Sequence, residues 1–167
     1  MNKKINIMSI ILLVILIIGV TPKAMQNDTY YMIAVGQNIM QNGVDLKEHF
    51  SWVEGLNYTY PHWLFDLCIA TVYNLANFKG IYILTIVLAT ILAIIIYYVN
   101  LKINKNQIVS FIGTVITIVL LRNFITPRAQ LVSFILFVLE IFIIEKFLES
   151  RKKKMGSSFI YHCNNTC

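Results

Sequence analysis

The sequence is poor in charged residues, and above all in acidic ones. Asp and Glu number 8 in 167 residues, Lys and Arg number 14, and charged residues make up 13% of the chain. Hydrophobic residues make up 57%, which is more apolar surface than one soluble core of this size can bury. The bilayer is the natural solvent for such a chain, so we predict an all-α, polytopic integral membrane helix bundle.

Cysteine is scarce, and the motifs of soluble enzymes are missing. Cys68, Cys163 and Cys167 form no Cys-x-x-Cys pair, so neither a disulfide framework nor a structural zinc site is predicted. There is no Gly-x-Ser-x-Gly, phosphate loop or His-Glu-x-x-His. The net charge of +6 lies in short clusters beside apolar runs, without the interleaved aromatics of a nucleic-acid-binding surface. Membrane lipid is an expected partner, and nucleic acid is not.

Four apolar runs approach the ~20 residues that a helix needs to cross ~30 Å of hydrocarbon. They predict transmembrane helices at about residues 5–22, 81–99, 108–123 and 129–148. The first run also suits a secretory signal peptide. Because Thr-Pro-Lys-Ala at residues 21–24 is a poor cleavage site, we favour its retention as a transmembrane helix.

Residues 62–78 form a fifth, ambiguous run, which is apolar but carries a histidine and an aspartate in its first turns. If this run does not span, the basic clusters at residues 102–105 and 151–154 share the cytoplasmic side with the N-terminal lysines, as the positive-inside rule prefers. We therefore interpret it as an interfacial or re-entrant helix. We predict a protein of the cytoplasmic membrane with four spans and with both termini on the cytoplasmic side. Its first external loop is large and covers residues 21–80.

This external loop is expected to contain a second interfacial helix. Asn27 or Asp28 can cap a helix over residues 28–42 that stops at Gly43. Asp28 can thus be interpreted either as a structural N-cap or as a residue with a chemical role. The aromatic-rich residues 50–64 suit sugar or lipid head-group binding, or else a simple interfacial belt.

A resemblance to a known family favours a chemical role for Asp28 over a purely structural one. Asp28 opens the pattern Asp-Thr-Tyr-Tyr-x-Ile-Ala-x-Gly-x-x-Ile, and Phe50-Ser-Trp and Pro61-His-Trp-Leu follow it. With these motifs, residues 1–154 resemble the N-terminal region of bacterial GT-C type membrane glycosyltransferases, which include protein O-mannosyltransferases and aminoarabinose transferases. Such enzymes transfer a sugar from a polyprenyl-phosphate donor to an acceptor on the outer face of the cytoplasmic membrane.

The resemblance implies roles for five residues. Asp28 is the implied catalytic acid, as an acceptor-orienting base or as the ligand of a divalent metal ion. His62 and Arg128 are the implied contacts of the donor phosphate, for which arginine is well suited. Tyr31 and Trp63 are implied donor-binding aromatics.

The chain also departs from this family. Residues 122–128, on the second external loop, lack the acidic motif that several GT-C families carry there, which leaves a two-acid metal site open. GT-C enzymes are much longer, so we expect this chain to be an N-terminal part that is inactive alone. The polar tail, residues 155–167, is expected to be a frameshift product. The one-base-shifted reading must give tryptophan at residues 155–156, and over residues 159–166 it permits only Leu, Ile, Val, Ala, Phe, Tyr, Ser and Thr, which are typical of a membrane span.

The alternative function is that of a small non-catalytic membrane protein or a transporter fragment. In that interpretation Asp28 caps a helix, and Glu140, near the middle of the last predicted span, lines a pathway. We favour a Glu140 that faces the helix bundle, since an ionised carboxylate exposed to lipid is costly.

Overall fold

The computed structural model describes residues 3–45, 47–53 and 55–164, and the side chains of residues 5–45, 47–53 and 55–151. Its elements are α1 (Lys3–Val20), α2 (Asn27–Asn42), α3 (Trp63–Asn104), α4 (Gln107–Leu120), a 3-10 turn (Arg122–Phe124) and α5 (Ala129–Asn164). Within these ranges there is no strand, only an isolated bridge between Lys47 and Asn57. The prediction of an all-α fold is confirmed.

Helix α3 is the centre of the bundle, and each of the other four helices contacts it. Its Ala89 and Ala93 are fully buried in a cluster with Ile17 of α1, Ile118 of α4 and Leu131 of α5. Small residues four positions apart let helix backbones approach closely. The core is therefore organised around the small-residue face of one long apolar helix.

Among the described residues, α3 is the one helix long and apolar enough to cross a membrane. The apolar helices Ile5–Val20 and Gln107–Leu120 are shorter than the spans predicted at residues 5–22 and 108–123. A 14-residue helix such as α4 rises about 21 Å, less than the ~30 Å of a hydrocarbon core. Length and apolar composition together therefore show one possible span, and they do not show four.

Helix α3 contains a break. Ala76 has φ −141° and ψ 15°, and Asn77 has φ 53° and ψ −153°, neither of which is helical. Asparagine is among the residues that tolerate positive φ most readily. From the sequence, an interfacial helix at residues 62–78 and a separate span at 81–99 were predicted. The break falls close to the boundary between those two predicted helices, and the second segment continues to Asn104.

Helix α2 agrees with its predicted bounds but not with its predicted cap. It ends at Gly43, which has φ 76° and donates its N–H to the Ile39 carbonyl. The expectation that Asn27 or Asp28 caps the helix was wrong: Gln26 is the N-cap residue, and no side chain caps the first turn. Asp28 lies inside the first turn, which leaves its carboxylate available for a partner elsewhere.

A tight connection between α4 and α5 positions Arg128. Ile125 and Thr126 are buried, and the N–H of Arg128 donates to the Thr126 carbonyl at 2.7 Å. Pro127 cannot continue a helix, because its ring fixes φ and it has no N–H. Arg128 is consequently held at the residue before α5 begins.

Glu140 does not face the bundle, so that expectation was wrong. Among the side chains of α5 that the structure describes, Leu131 and Ile135 are buried, and Phe134 and Val138 pack beside them against the core. Glu140 follows Leu131 by nine residues, which is about 180° around the helix at 100° per residue. Its side chain therefore lies on the exposed face of α5.

The backbone of α5 continues through Met155 to Asn164. The frameshift hypothesis for residues 155–167 concerns the coding sequence, so it stays a prediction. Residues 165–167 of that tail lie outside the described residues.

Gly36 forms the closest contact between α2 and α3. A methyl group built on its Cα meets the Asp66 backbone carbonyl and comes within 2.6 Å of the Ala70 side chain. Both of those residues are buried on α3. The glycine in the motif that begins at Asp28 thus has a packing function, since any side chain there would separate the two helices.

Gly36→Ala should lower the free energy of unfolding by about 1–3 kcal/mol, because the added methyl overpacks the interface of α2 and α3. Gly19→Ala is the matched control: no atom of the described residues lies within 4 Å of its added methyl, and alanine is favoured over glycine in a helix by up to ~1 kcal/mol. Thermal unfolding of both variants in detergent measures the difference. Equal unfolding temperatures would contradict the close packing at Gly36.

Candidate functional site

Two charged side chains from distant parts of the sequence meet at the end of the bundle that holds α2. Oδ2 of Asp28, in the first turn of α2, forms an ion pair with Nη2 of Arg128, just before α5. Both residues were predicted as site residues, but not as partners of each other. The contact joins the first turn of α2 to the connection just before α5.

This ion pair borders a cavity of about 260 Å³. The cavity is lined by Asp28, Tyr31, Met32, Tyr58, His62, Arg128, Ala129 and Gln130. The structure therefore brings together Asp28, Tyr31, His62 and Arg128, all of which the sequence analysis selected.

Trp63 does not line that cavity. It borders a neighbouring apolar groove of about 430 Å³, which it shares with Pro61, His62, Leu64, Phe65, Cys68, Ala129, Val132 and Ser133. Because His62 and Ala129 line both spaces, the polar cavity and the apolar groove share a wall. A ligand with a polar head and an apolar tail has a surface for each part.

Asp66 was not predicted as a site residue. His62 is the N-cap residue of α3, and its Nδ1 lies 2.9 Å from both carboxylate oxygens of Asp66. Asp66 is 2% exposed, whereas the His62 side chain is 37% exposed. A buried carboxylate that binds Nδ1 orients the imidazole and leaves Nε2 as the second functional atom. The signal was present in the sequence as a His-x-x-x-Asp spacing at a helix start.

Tyr58, a second residue that the sequence analysis did not single out, lies in an aromatic cluster beside the cavity. Its ring centroid is 6.4 Å from that of Tyr31 and 4.9 Å from that of Tyr60, and Tyr31 also contacts Phe50. Burial, together with a hydrogen bond to Tyr58, raises the pKa of Tyr31 above its usual value. Tyr31 therefore presents a protonated hydroxyl at neutral pH.

Hydrogen bonds hold the loop between α2 and α3 over this cluster. The Tyr60 hydroxyl donates to the Lys47 carbonyl at 3.0 Å, and the N–H of Glu48 donates to the Leu56 carbonyl at 3.0 Å. Burial and the nearby Asp45 carboxylate raise the pKa of Tyr60. The described parts of this loop are thus attached to one another and to the cavity wall.

The cavity suits an anionic ligand. The buried Nε of Arg128 has no hydrogen-bond partner among the described residues, and buried donors are normally satisfied. The guanidinium group presents several donors in a fixed plane, a geometry that matches phosphate oxygens. Arg128 can therefore bind a phosphate group while the exposed side of His62 contributes a second contact.

A divalent metal ion fits these residues less well than an anionic ligand does. Within the described part of the chain, no group of three or more His, Cys, Asp or Glu side chains could hold one. Asp28, the implied ligand, is already paired with Arg128. We therefore derive no step through a metal ion.

No family model, curated protein or solved structure matches this chain.

Asp28→Asn should change the free energy of unfolding by less than about 1 kcal/mol, because an ion pair between half-exposed groups contributes little to stability. The Asp28 side chain is 60% exposed and that of Arg128 is 40% exposed. Thermal unfolding in detergent checks this, with Gly36→Ala as the destabilised comparison. A loss as large as that of Gly36→Ala would mean that the ion pair is mainly a structural tether.

Proposed function

We propose that this chain is the N-terminal part of a GT-C type membrane glycosyltransferase, which transfers a sugar from a polyprenyl-phosphate donor to an acceptor on the outer face of the cytoplasmic membrane. The observation that carries the proposal is the convergence of Asp28, His62 and Arg128 on one cavity, although they are far apart in the sequence. The adjacent apolar groove supports a donor that is a lipid.

The geometry suggests how the residues divide the reaction. Asp28 accepts the proton of the acceptor hydroxyl while that oxygen bonds to the anomeric carbon of the sugar. The bond between the anomeric carbon and the phosphate oxygen breaks, and the polyprenyl phosphate leaves with the electron pair. Arg128 and His62 stabilise its charge, and Asp66 keeps the imidazole of His62 in position.

The ion pair between Asp28 and Arg128 must open for this reaction. A donor phosphate competes with the Asp28 carboxylate for the same guanidinium group. Donor binding would then release Asp28 to act as a base. The exposure of both side chains supports such an exchange, since a half-exposed ion pair is easily replaced.

Binding of farnesyl phosphate to the purified chain tests the site. Arg128→Gln should weaken binding about tenfold, because charge-assisted hydrogen bonds to the phosphate are lost. Asp28→Asn should strengthen binding by up to about fivefold, because a competing ion pair worth up to ~1 kcal/mol is removed. Native mass spectrometry in detergent measures both effects.

Arg122→Gln is the matched control for that experiment. Arg122 lies on the same connection as Arg128, is exposed, and does not line the cavity. Its replacement should leave binding unchanged, and farnesol, which lacks the phosphate, should not distinguish the variants. Equal loss with Arg122→Gln, or weaker binding with Asp28→Asn, would favour the alternative of a non-catalytic membrane protein, for which the closed ion pair is a tether between α2 and α5.

The proposed membrane topology has four spans: α1, the second segment of α3, α4 and α5. Helix α2 and the segment of α3 before Ala76 then lie on the outer surface, and both chain termini are cytoplasmic. The break at Ala76 and Asn77 supports this division of α3. The distribution of lysines supports the orientation.

Cysteine labelling in intact cells tests this topology, in a chain whose native cysteines are replaced by serine. Ser51→Cys should react with a membrane-impermeant maleimide, whereas Asn104→Cys should react only after the cells are permeabilised. Labelling of Asn104→Cys in intact cells would show that the first segment of α3 also crosses the bilayer.

A further inference from the structure

A second cavity, of about 590 Å³, lies at the opposite end of α3 from the Asp28 site. It is lined by Ile5 of α1, by Leu101 and Lys102 of α3, by the connecting Lys105 and Asn106, and by Gln107 and Ile108 of α4. None of these residues lines the first cavity. It is therefore a separate site, formed where three helices meet.

Among the described residues, the polar lining of this cavity consists of two lysines and two side-chain amides and includes no carboxylate. Lys102 and Lys105 are exposed, and their ammonium groups have no ion-pair partner among the described residues. Asn106 uses its side-chain oxygen to accept hydrogen bonds from the N–H groups of Ile108 and Val109, which leaves its amide nitrogen as a further donor. Two cations and an amide donor suit a phosphate group.

The other walls are aliphatic. Ile5, Leu101 and Ile108 supply them, so the donors lie next to an apolar surface. A small water-soluble anion gains nothing from such a surface. An amphiphile with an anionic head gains from both parts, because its phosphate contacts the lysines while its acyl chains cover the aliphatic side chains.

A polar network behind the cavity fixes its walls. The hydroxyl of Tyr97, which is fully buried, donates to Oδ1 of Asn6 at 2.7 Å, and Nε2 of Gln107 donates to the same oxygen at 3.2 Å. These bonds join α1, α3 and α4. Lys105 has φ 55° and donates its N–H to the Leu101 carbonyl, which sets the turn that carries both lysines. The site is thus formed before any ligand binds.

We propose that this cavity binds the phosphate of an anionic phospholipid such as phosphatidylglycerol. The lipid's position in the inner leaflet rests on the proposed topology, in which this end of α3 is cytoplasmic, and not on sugar transfer. A basic cavity between membrane helices on the cytoplasmic side is a typical setting for an anionic head group. Bound there, the lipid would hold α1, α3 and α4 together at their inner ends.

Native mass spectrometry of the purified chain with dihexanoyl phosphatidylglycerol tests the proposal. The double variant Lys102→Gln/Lys105→Gln should bind this lipid about tenfold more weakly than the unmodified chain, because both charges facing the phosphate are lost. The double control Lys146→Gln/Arg151→Gln removes two positive charges from α5, neither of which lines the cavity, and should bind as the unmodified chain does. Both variants should keep the original unfolding temperature.

Three outcomes would overturn the proposal. The first is that the control variant loses as much phosphatidylglycerol binding as the lysine double variant. The second is that dihexanoyl phosphatidylcholine binds the unmodified chain as tightly as dihexanoyl phosphatidylglycerol does. The third is that inorganic phosphate binds as tightly as the lipid, which would assign a free anion to the cavity. Arg128→Gln should bind phosphatidylglycerol normally. Failure of the glycosyltransferase proposal would appear in the farnesyl phosphate experiment and leave this result unchanged.

Discussion

The contact between Gly36 and the Asp66 carbonyl is the constraint on which the candidate site depends. It lets α2 lie directly against the first segment of α3, so that residues from the start of each helix come together. Asp28 and Tyr31 then face His62 across one cavity. The same close approach buries Asp66, whose carboxylate orients His62. Packing between two backbones thus positions the polar groups that give the cavity its chemistry.

At the cavity, the charge of Arg128 is balanced by a carboxylate, but its hydrogen-bond donors are not all satisfied. Arg128 has one partner in Asp28 and a buried Nε without one among the described residues. Because both side chains are partly exposed, the ion pair adds little to stability, and the guanidinium N–H groups that do not contact Asp28 are donors for another anion. This combination suits exchange of a protein carboxylate for a ligand phosphate, which a fully buried and fully bonded ion pair would resist.

The break in α3 separates two environments along one helix. Before Ala76 the helix carries His62 and Asp66 and packs against α2, and after Asn77 it carries the small-residue face around which the bundle assembles. The exposed face of α5 adds a contrast, since Glu140 lies there among apolar side chains. A carboxylate on such a face is costly in lipid unless another polar group reaches it.

The helical class, the end of α2 at Gly43 and a division of the long apolar run near residue 78 could be predicted from the sequence, and Asp28, Tyr31, His62 and Arg128 were predicted as site residues. Periodicity, glycine positions and residue chemistry are local, so they can be read along the chain. Three outcomes follow only from the packing of the helices: Asp28 pairs with Arg128, Asp66 supports His62, and Glu140 faces outward. Those outcomes depend on which helices touch and at what rotation, because a side chain's partner is set by packing between elements and not by its neighbours in sequence.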